Sequence, residues 1–302
     1  VVTTLDVNIQ TIVESALGSL NSGCAIVAEV GTGKIRACAS APAFDINDLS
    51  ASIGSKNSPY LNRALYAYSV GSVFKPCVAA AAIESGYGDS TFVCEGSLKI
   101  IDRVFRCHNL SGHGNMNLCT ALAQSCNCFF YNTSITLGSQ KICKTASALN
   151  FGSKIKIADN IYTAEGSVPK YNIMLNDAAT ANLGIGQGEL LLSPISMLTL
   201  YSAIAGDGSY YLPSVIEKTI NDGKEKIYDI GNPTRVMSAE TASTLRQYLK
   251  TVITEGTGSD AAPTSCTAAG KTATAQTGRH YDNGEEITNS WFCGFFPAVR
   301  AG

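Results

Sequence analysis

Three short polar motifs in this 302-residue chain could together perform acyl transfer on a serine hydroxyl. The first, Ser72-Val73-Phe74-Lys75, places an amine one helical turn from a hydroxyl, because residues three apart share a helix face about 5–6 Å apart. Lysine is normally protonated at neutral pH, so Lys75 could take the Ser72 proton only where burial or a neighbouring cation favours the neutral amine. The pattern indicates a serine acyl-transferase that works without histidine.

A second motif, Ser125-Cys126-Asn127, lies in an otherwise apolar stretch that is predicted to be helical. Buried polar groups without hydrogen-bond partners are costly, so these residues are expected to line a cleft rather than a core. There Ser125 could pass a proton to a leaving group, and Asn127 could hold an amide of the substrate. The motif alone is weak, because this spacing of serine and asparagine is common.

A third motif, Lys271-Thr272-Ala273-Thr274, lies on a predicted strand near the C-terminus. On a strand that faces the nucleophile, Thr272 and Thr274 could bind a carboxylate, and Lys271 could be the cation that keeps the first lysine neutral. The backbone N–H of Thr274 and that of the nucleophilic serine could form an oxyanion hole. Each motif alone is common by chance, but the three together predict catalysis.

Hydrophobic periodicity and turn residues predict the elements that position these motifs. Helices are predicted at 9–20 with Asp6 as N-cap, at 71–85, 193–206 and 238–254, and twice within 117–150. Strand pairs are predicted at 24–30 with 35–40, within 91–107, and at 269–277 with 290–296. The segments 41–60 and 150–182 are expected to be irregular.

Strands at both ends of the chain and helices in the middle predict an α+β fold. We expect an antiparallel sheet, assembled from the N- and C-terminal segments and flanked by helices, with a helical subdomain inserted between its halves. The expected division of the single domain 1–302 is an α/β part at about 1–65 and 207–302 and a mainly helical subdomain at about 66–206.

Composition narrows the function classes further. Charged residues make up 15% of the chain and the net charge is −2, which argues against a nucleic-acid partner, since that would require a clustered basic face. No apolar run reaches the roughly 18 residues that span a bilayer. We interpret the chain as an excised catalytic domain, because it starts and stops within sequence that is typical of folded elements.

The motifs and their order resemble the transpeptidase domain of class B penicillin-binding proteins of the elongation or sporulation type, over essentially the whole chain. The stretches that carry the resemblance are Thr3–Asp6 with Gln10, Asn62–Ala64, Gly71–Pro76, Gly112–Gly114, Ala121–Asn127, Gly184–Gly188, Ala269–Thr272 and Trp291–Phe295. The resemblance implies the fold of penicillin-binding proteins and serine β-lactamases, in which the inserted subdomain is all-helical.

The same resemblance implies a D-alanyl-D-alanine transpeptidase that cross-links peptidoglycan stem peptides and is covalently inhibited by β-lactams. Ser72 would be acylated with loss of the terminal D-alanine, and Lys75 would be the general base. By carry-over the catalytic residues are Ser72, Lys75, Ser125 and Lys271, and the substrate-binding residues are Asn127, Thr272, Ala273 and Thr274. No cofactor is implied for catalysis.

Full-length members of this family carry an N-terminal membrane anchor and a non-catalytic domain. The resemblance therefore implies a parent protein at the extracytoplasmic face of the cytoplasmic membrane, anchored by a segment that is absent from this chain. A cell-wall glycan polymerase is the partner implied for the full-length protein.

Two other classes share the serine acylation step. A serine β-lactamase must also activate water, which in class A enzymes involves an additional glutamate, and the context of Glu165 matches no such residue. A β-lactam-sensor domain would form a stable adduct but would fail on peptide substrates. A Ser-His-Asp hydrolase is disfavoured, because none of the three histidines lies beside a nucleophile elbow.

One residue departs from the family pattern, which usually has glycine where this chain has Ala273. Lys271 and Ala273 are expected on the same face of the strand, so an extra methyl group enters the neighbourhood of the lysine. We expect an altered β-lactam preference, with bulky side chains disfavoured, and retained transpeptidation.

Cysteine and histidine residues are concentrated between 94 and 128. Thiolates and imidazole suit tetrahedral zinc, and the expected structural metal ligands are Cys94, Cys107, His113 and Cys119. The spacing matches no standard zinc motif, so a Cys94–Cys107 disulfide and unlinked thiols remain alternatives.

Overall fold

The structure of the chain is a computed structural model that describes residues 1–18 and 20–298. The helices are α1 (Val7–Leu17), α2 (Lys75–Glu84), α3 (Leu118–Ala123), α4 (Asn127–Leu137), α5 (Ser139–Ala148), α6 (Asp177–Gly184), α7 (Pro194–Ala205) and α8 (Ala239–Thr254). The strands of the first half are β1 (Val2–Thr3), β2 (Gly23–Ala28), β3 (Ile35–Ala41), β4 (Thr91–Cys94), β5 (Ser97–Ile100), β6 (Arg103–Arg106) and β7 (Gly114–Asn117). Those of the second half are β8 (Lys156–Ala158), β9 (Ile161–Tyr162), β10 (Ser209–Tyr210), β11 (Ile216–Asn221), β12 (Lys224–Ile227), β13 (Thr234–Arg235), β14 (Ala269–His280) and β15 (Glu286–Phe295).

The predicted helix and strand starts at both ends of the chain are confirmed. Asp6 caps α1 by accepting hydrogen bonds from the N–H groups of Asn8 and Ile9, and Ser238 caps α8 in the same way. The pairs β2–β3 and β14–β15 are antiparallel hairpins, as predicted, and β14–β15 extends further than the sequence pattern indicated.

The region from 91 to 150 differs from the prediction. The hairpin is formed by β5 and β6, whereas β4 pairs with β7, so that Cys94 lies opposite Gly114. The hairpin predicted within 91–107 is therefore confirmed at 97–106, but it does not include β4 and Cys94. Three helices rather than two follow, because Ser125 adopts a left-handed conformation with φ of 53° and separates α3 from α4.

The architecture is α+β with antiparallel strand pairing, as predicted. Strand β1, at the N-terminus, pairs with β11 of the C-terminal segment in the sheet β1–β11–β12. Among the described residues, β2–β3 and β14–β15 are separate hydrogen-bonded pairs. The middle of the chain is mainly helical but also carries the short strands β4 to β9. No helix in the described ranges is long and apolar enough to cross a bilayer.

Helix α2 lies at the centre of the main hydrophobic core. Eight of its ten residues are buried, including Lys75 at its first position. A helix that is apolar all round must be enclosed by other elements, and α2 contacts α4, α5 and α8. The core therefore holds the end of α2 that carries the lysine in a fixed position.

Candidate active site

The candidate nucleophile lies on a 3-10 turn, Gly71–Phe74, that leads directly into α2. Gly71 has φ of 61°, and its N–H donates to Gly186 O at 2.9 Å. A Cβ atom on Gly186 would lie 2.0 Å from Gly71 O, so only glycine permits this approach of the two backbones. On the other side, Trp291 Nε1 donates to Ser69 O at 3.0 Å. These contacts fix the turn that presents Ser72.

The amine of Lys75 is fully buried and contacts the second motif. Its Nζ donates hydrogen bonds to Ser125 O at 2.7 Å, Asn127 Oδ1 at 2.8 Å and Ser125 Oγ at 3.3 Å. Among the described residues no hydrogen bond joins Ser72 to this amine and no carboxylate forms an ion pair with it. The structure therefore brings the first and second motifs together through Lys75.

Burial and a neighbouring cation both favour the neutral form of this amine. Burial, followed by the charge of Lys271, holds the pKa of Lys75 well below 10.5, although the thiol groups of Cys126 and Cys107 act in the opposite direction. Burial also lowers the pKa of Lys271 to about 7. A neutral lysine has two N–H bonds, which can serve the two short contacts, and a lone pair that can accept a proton.

The third motif lies on β14 with its residues on alternate faces. Lys271, Ala273 and Ala275 are buried, whereas Thr272 is half-buried and Thr274 is exposed. A Cβ atom on Gly71 would lie 3.5 Å from Ala273 Cβ and 3.0 Å from Ala275 Cβ, so the nucleophile turn packs against this strand. Lys271 and Ala273 share a face, and the Ala273 methyl group supports the nucleophile turn.

Replacing Ala273 by glycine tests what this methyl group does. We expect Ala273→Gly to raise the rate of Ser72 acylation by bulky cephalosporins, relative to penicillin, by about fourfold, the equivalent of one methyl group at roughly 0.8 kcal/mol. The measurement is the ratio of second-order acylation rates in the variant and in the unmodified protein. Unchanged ratios for all cephalosporins would show that the methyl group is irrelevant.

Sequence reasoning missed Thr257, which lies in the loop between α8 and β14. Lys271 Nζ donates to Thr257 Oγ1 at 3.4 Å and to Thr272 O at 3.1 Å. The hydroxyl groups of Thr257 and Thr272 are 3.0 Å apart, and Thr257 N–H donates to Ala123 O at 3.0 Å, just before the second motif. No spacing pattern in the sequence indicates this contact, since only the fold brings the loop to the strand.

A cleft of about 480 Å³ opens over the nucleophile. Its lining includes Ser72, Asn127 and Thr274, whereas Lys75, Lys271 and Ala273 are buried beyond the lining. The remaining lining residues are Gly71, Val104, Phe105, Arg106, Cys107, His108, Tyr131, Ile185, Gln187 and Gln276. Ser125 and Thr272 also lie outside the lining, so the cleft exposes one side chain from each motif.

A cluster of sulfur and imidazole ligands, the cysteine–histidine cluster, lies next to the second motif. It consists of Cys94, Cys107, His113 and Cys126, whose ligand atoms all lie within 4.8 Å of one another. Cys94 Sγ and Cys107 Sγ each lie 3.6 Å from His113 Nδ1. A tetrahedral zinc site with Zn–S of about 2.3 Å and Zn–N of about 2.0 Å separates sulfur and nitrogen by about 3.5 Å.

The structure does not place Cys119 in this cluster. Cys119 lies on α3, which packs against α8, and its Sγ atom is 3.8 Å from Thr251 Oγ1. Cys126 takes its place, since the left-handed backbone at Ser125 turns Cys126 inward as the N-cap of α4. The expected set of ligands is therefore corrected by replacing Cys119 with Cys126. No described cysteine forms a disulfide.

Comparison with known proteins places these features in one family. Residues 23–301 match the model of the penicillin-binding protein transpeptidase domain. Stage V sporulation protein D of Bacillus subtilis is 28% identical and covers 98% of this chain, and Peptidoglycan D,D-transpeptidase MrdA of Escherichia coli K12 is 27% identical over 74% of it. The chain spans 47% and 38% of the lengths of these two relatives.

Solved structures agree with the sequence relatives. The D,D-transpeptidase domain of a peptidoglycan glycosyltransferase from Eggerthella lenta superposes with a TM-score of 0.87 at 26% identity, covering 98% of this chain and 74% of that one. Penicillin-binding protein 3 of Mycobacterium tuberculosis, complexed with aztreonam, gives 0.85 at 27% identity, covering 99% and 70%. The chain belongs to the transpeptidase domain family of the penicillin-binding proteins, among its class B members.

Proposed function

We propose that this domain is a serine D-alanyl-D-alanine transpeptidase that cross-links peptidoglycan stem peptides. The observation that carries the proposal is the buried Lys75 amine, held by Ser125 and Asn127 at the start of the helix that follows Ser72. Membership of the family supports the same reaction, as do relatives named as peptidoglycan D,D-transpeptidases.

In the proposed first step, neutral Lys75 accepts the Ser72 proton while Ser72 Oγ bonds to the carbonyl carbon of the penultimate D-alanine. The peptide bond to the terminal D-alanine breaks, and Ser125 relays a proton to its nitrogen. The N–H groups of Ser72 and Thr274 would stabilise the oxyanion. An amine of a second stem peptide then attacks the ester, which forms the cross-link and returns the proton to Ser72.

Substrate binding is proposed for side chains that reach the cleft. Thr274 would bind the terminal carboxylate and Asn127 an amide of the stem peptide, since both line the cleft beside Ser72. The hydroxyl of Thr272 is bonded to Thr257, so we assign it to orienting Lys271 and the carboxylate site. Ala273 would affect substrate binding indirectly, because it packs against the turn Gly71–Phe74 that presents Ser72.

The decisive experiment is intact mass spectrometry after incubation with benzylpenicillin, followed by peptide mapping. We expect one penicilloyl group on Ser72 with a lifetime of minutes to hours, and release of D-alanine from a stem-peptide analogue. An adduct on any other side chain would overturn the proposal. Rapid turnover would indicate a β-lactamase, although the exposed Glu165 is absent from the cleft lining. A stable adduct without peptide activity would indicate a sensor.

We also propose that the cysteine–histidine cluster binds one structural zinc ion. The four ligand atoms have the type and spacing of a tetrahedral site, and three of the four residues are buried. Hydrogen bonds from the thiols of Cys126 and Cys128 lower the pKa of Cys107, which favours the thiolate form that binds a metal. Elemental analysis of the purified protein should give one zinc per chain; no stoichiometric metal would refute the site.

The setting of the parent protein is also a proposal. We infer an α/β part at 1–65 and 207–302 around a mainly helical subdomain at 66–206, in a protein anchored by an N-terminal segment at the extracytoplasmic face of the cytoplasmic membrane. The family supports peptidoglycan as the substrate, β-lactams as inhibitors and a glycan polymerase as the partner of the full-length protein.

A further inference from the structure

One cleft-lining side chain has no part in the proposed acylation chemistry. Arg106 is the last residue of β6, is exposed, and lines the cleft together with Ser72 and Asn127. Its guanidinium group forms none of the ion pairs found between described residues. It is therefore a permanent positive charge in the cleft that contains Ser72, with no ion-pair partner among the residues that the structure describes.

The rest of the lining supplies no negative charge to this guanidinium. Of the described residues that line the cleft, none is an aspartate or a glutamate, although the chain as a whole carries a net charge of −2. Glu286 contacts the lining residue Gln276, but its two oxygens accept hydrogen bonds from Gln276 Nε2 at 2.8 Å and Gly278 N at 3.1 Å. The cleft therefore offers a cation to whatever occupies it.

The backbone at Arg106 is held in place by contacts with α4 and by the neighbouring residues of its own segment. The hydroxyl of Tyr131, on α4, donates to Arg106 O at 3.3 Å, and the rings of Tyr131 and Phe105 pack edge to face with centroids 5.3 Å apart. The next residue, Cys107, belongs to the cysteine–histidine cluster. A fixed backbone lets the guanidinium present its donors to a planar anion, and carboxylates are bound in this bidentate way.

We infer that Arg106 forms an anion subsite that selects acyl donors with a carboxylate on a side chain near the reacting bond. The inference rests on the proposed function and specifies its substrate: a stem peptide with a free carboxylate on its diamino acid, in preference to the amidated form. The terminal D-alanine carboxylate is the other source of the same chemistry, and the two are separated below.

The test compares two penicillins that differ by one side-chain carboxylate, carbenicillin and benzylpenicillin. In the Arg106→Gln variant we expect the acylation rate with carbenicillin, relative to benzylpenicillin, to fall about fivefold, as for a partly exposed ion pair of about 1 kcal/mol. The difference should shrink in high salt. Arg103→Gln is the matched control, since Arg103 lies on the same strand but outside the cleft lining.

Other outcomes would overturn the inference. An equal fall for both penicillins would assign Arg106 to the terminal carboxylate that both share, and an unchanged ratio would show that it binds neither. The same comparison with stem-peptide analogues, carboxylate against amide, must change in the same direction. Failure of benzylpenicillin to acylate Ser72 in the unmodified protein would instead refute the proposed function, so the two failures are distinguishable.

Discussion

Replacing Lys75 by alanine should slow the acylation of Ser72 by benzylpenicillin by about 10²- to 10⁴-fold, the range expected for loss of a general base. The alanine variant leaves Ser125 and Asn127 in place but removes the amine that is hydrogen-bonded to both. The measurement is the second-order acylation rate by quenched mass spectrometry. Lys144→Ala, an exposed lysine on α5, is the control for loss of a lysine charge.

The pH dependence of the unmodified protein checks the same point. Lys75 must be neutral to accept a proton, and burial together with Lys271 holds its pKa well below 10.5. Acylation should therefore be fast at pH values below 10.5 and should fall as the pH drops through the lowered pKa. Near-normal rates in the alanine variant, or a rate that follows the pKa of an ordinary lysine, would contradict the assignment.

The second large effect is expected on stability. Cys94→Ser should abolish stoichiometric zinc binding and lower the melting temperature by roughly 5–10 °C, because a ligand at a thousand times its dissociation constant stabilises the fold by about 4 kcal/mol. Cys94 is buried at the end of β4 and lies in none of the three motifs, but its cluster partner Cys126 belongs to the second, so the acylation rate of Ser72 is measured alongside the metal content.

Cys119→Ser is the control that separates the two ligand sets. Cys119 faces Thr251 on α8, so its serine variant should keep one zinc per chain and its melting temperature. Loss of the metal in Cys119→Ser, together with its retention in Cys126→Ser, would reverse the assignment, since Cys94, Cys107 and His113 belong to both ligand sets.

The three motifs can be recognised in the sequence, and the hairpin strand that carries the third can be predicted from it. Helical spacing, the hydrophobic pattern of a hairpin and polar turns are local properties of the sequence. Ser72 lies on the 3-10 turn and Lys75 at the first position of α2, so helical spacing alone predicts that these two residues share a face. The two faces of β14 can be predicted in the same way, because alternate residues of a strand point to opposite faces. Lys271 and Ala273 lie on the buried face, and Thr272 and Thr274 lie on the other.

The metal ligands could not be read from the sequence to the same degree. Whether Cys119 or Cys126 joins Cys94 depends on β4 pairing with β7 and on one left-handed residue between α3 and α4. Non-glycine residues seldom adopt that conformation, so no propensity argument would have chosen it. Thr257 escaped prediction for a related reason, since its partners lie more than ten residues away across a loop.

The three acceptors around the Lys75 amine differ in whether a substitution can remove them. The shortest contact goes to the main-chain oxygen of residue 125, which every amino acid carries, whereas the others use the Ser125 hydroxyl and the Asn127 amide. In the proposed mechanism, a replacement at 125 that keeps the left-handed backbone would therefore disturb proton transfer while the amine stays bonded to the main-chain oxygen. We therefore expect resistance substitutions at this position to change the rate of the proposed reaction and to leave the Lys75 amine in place.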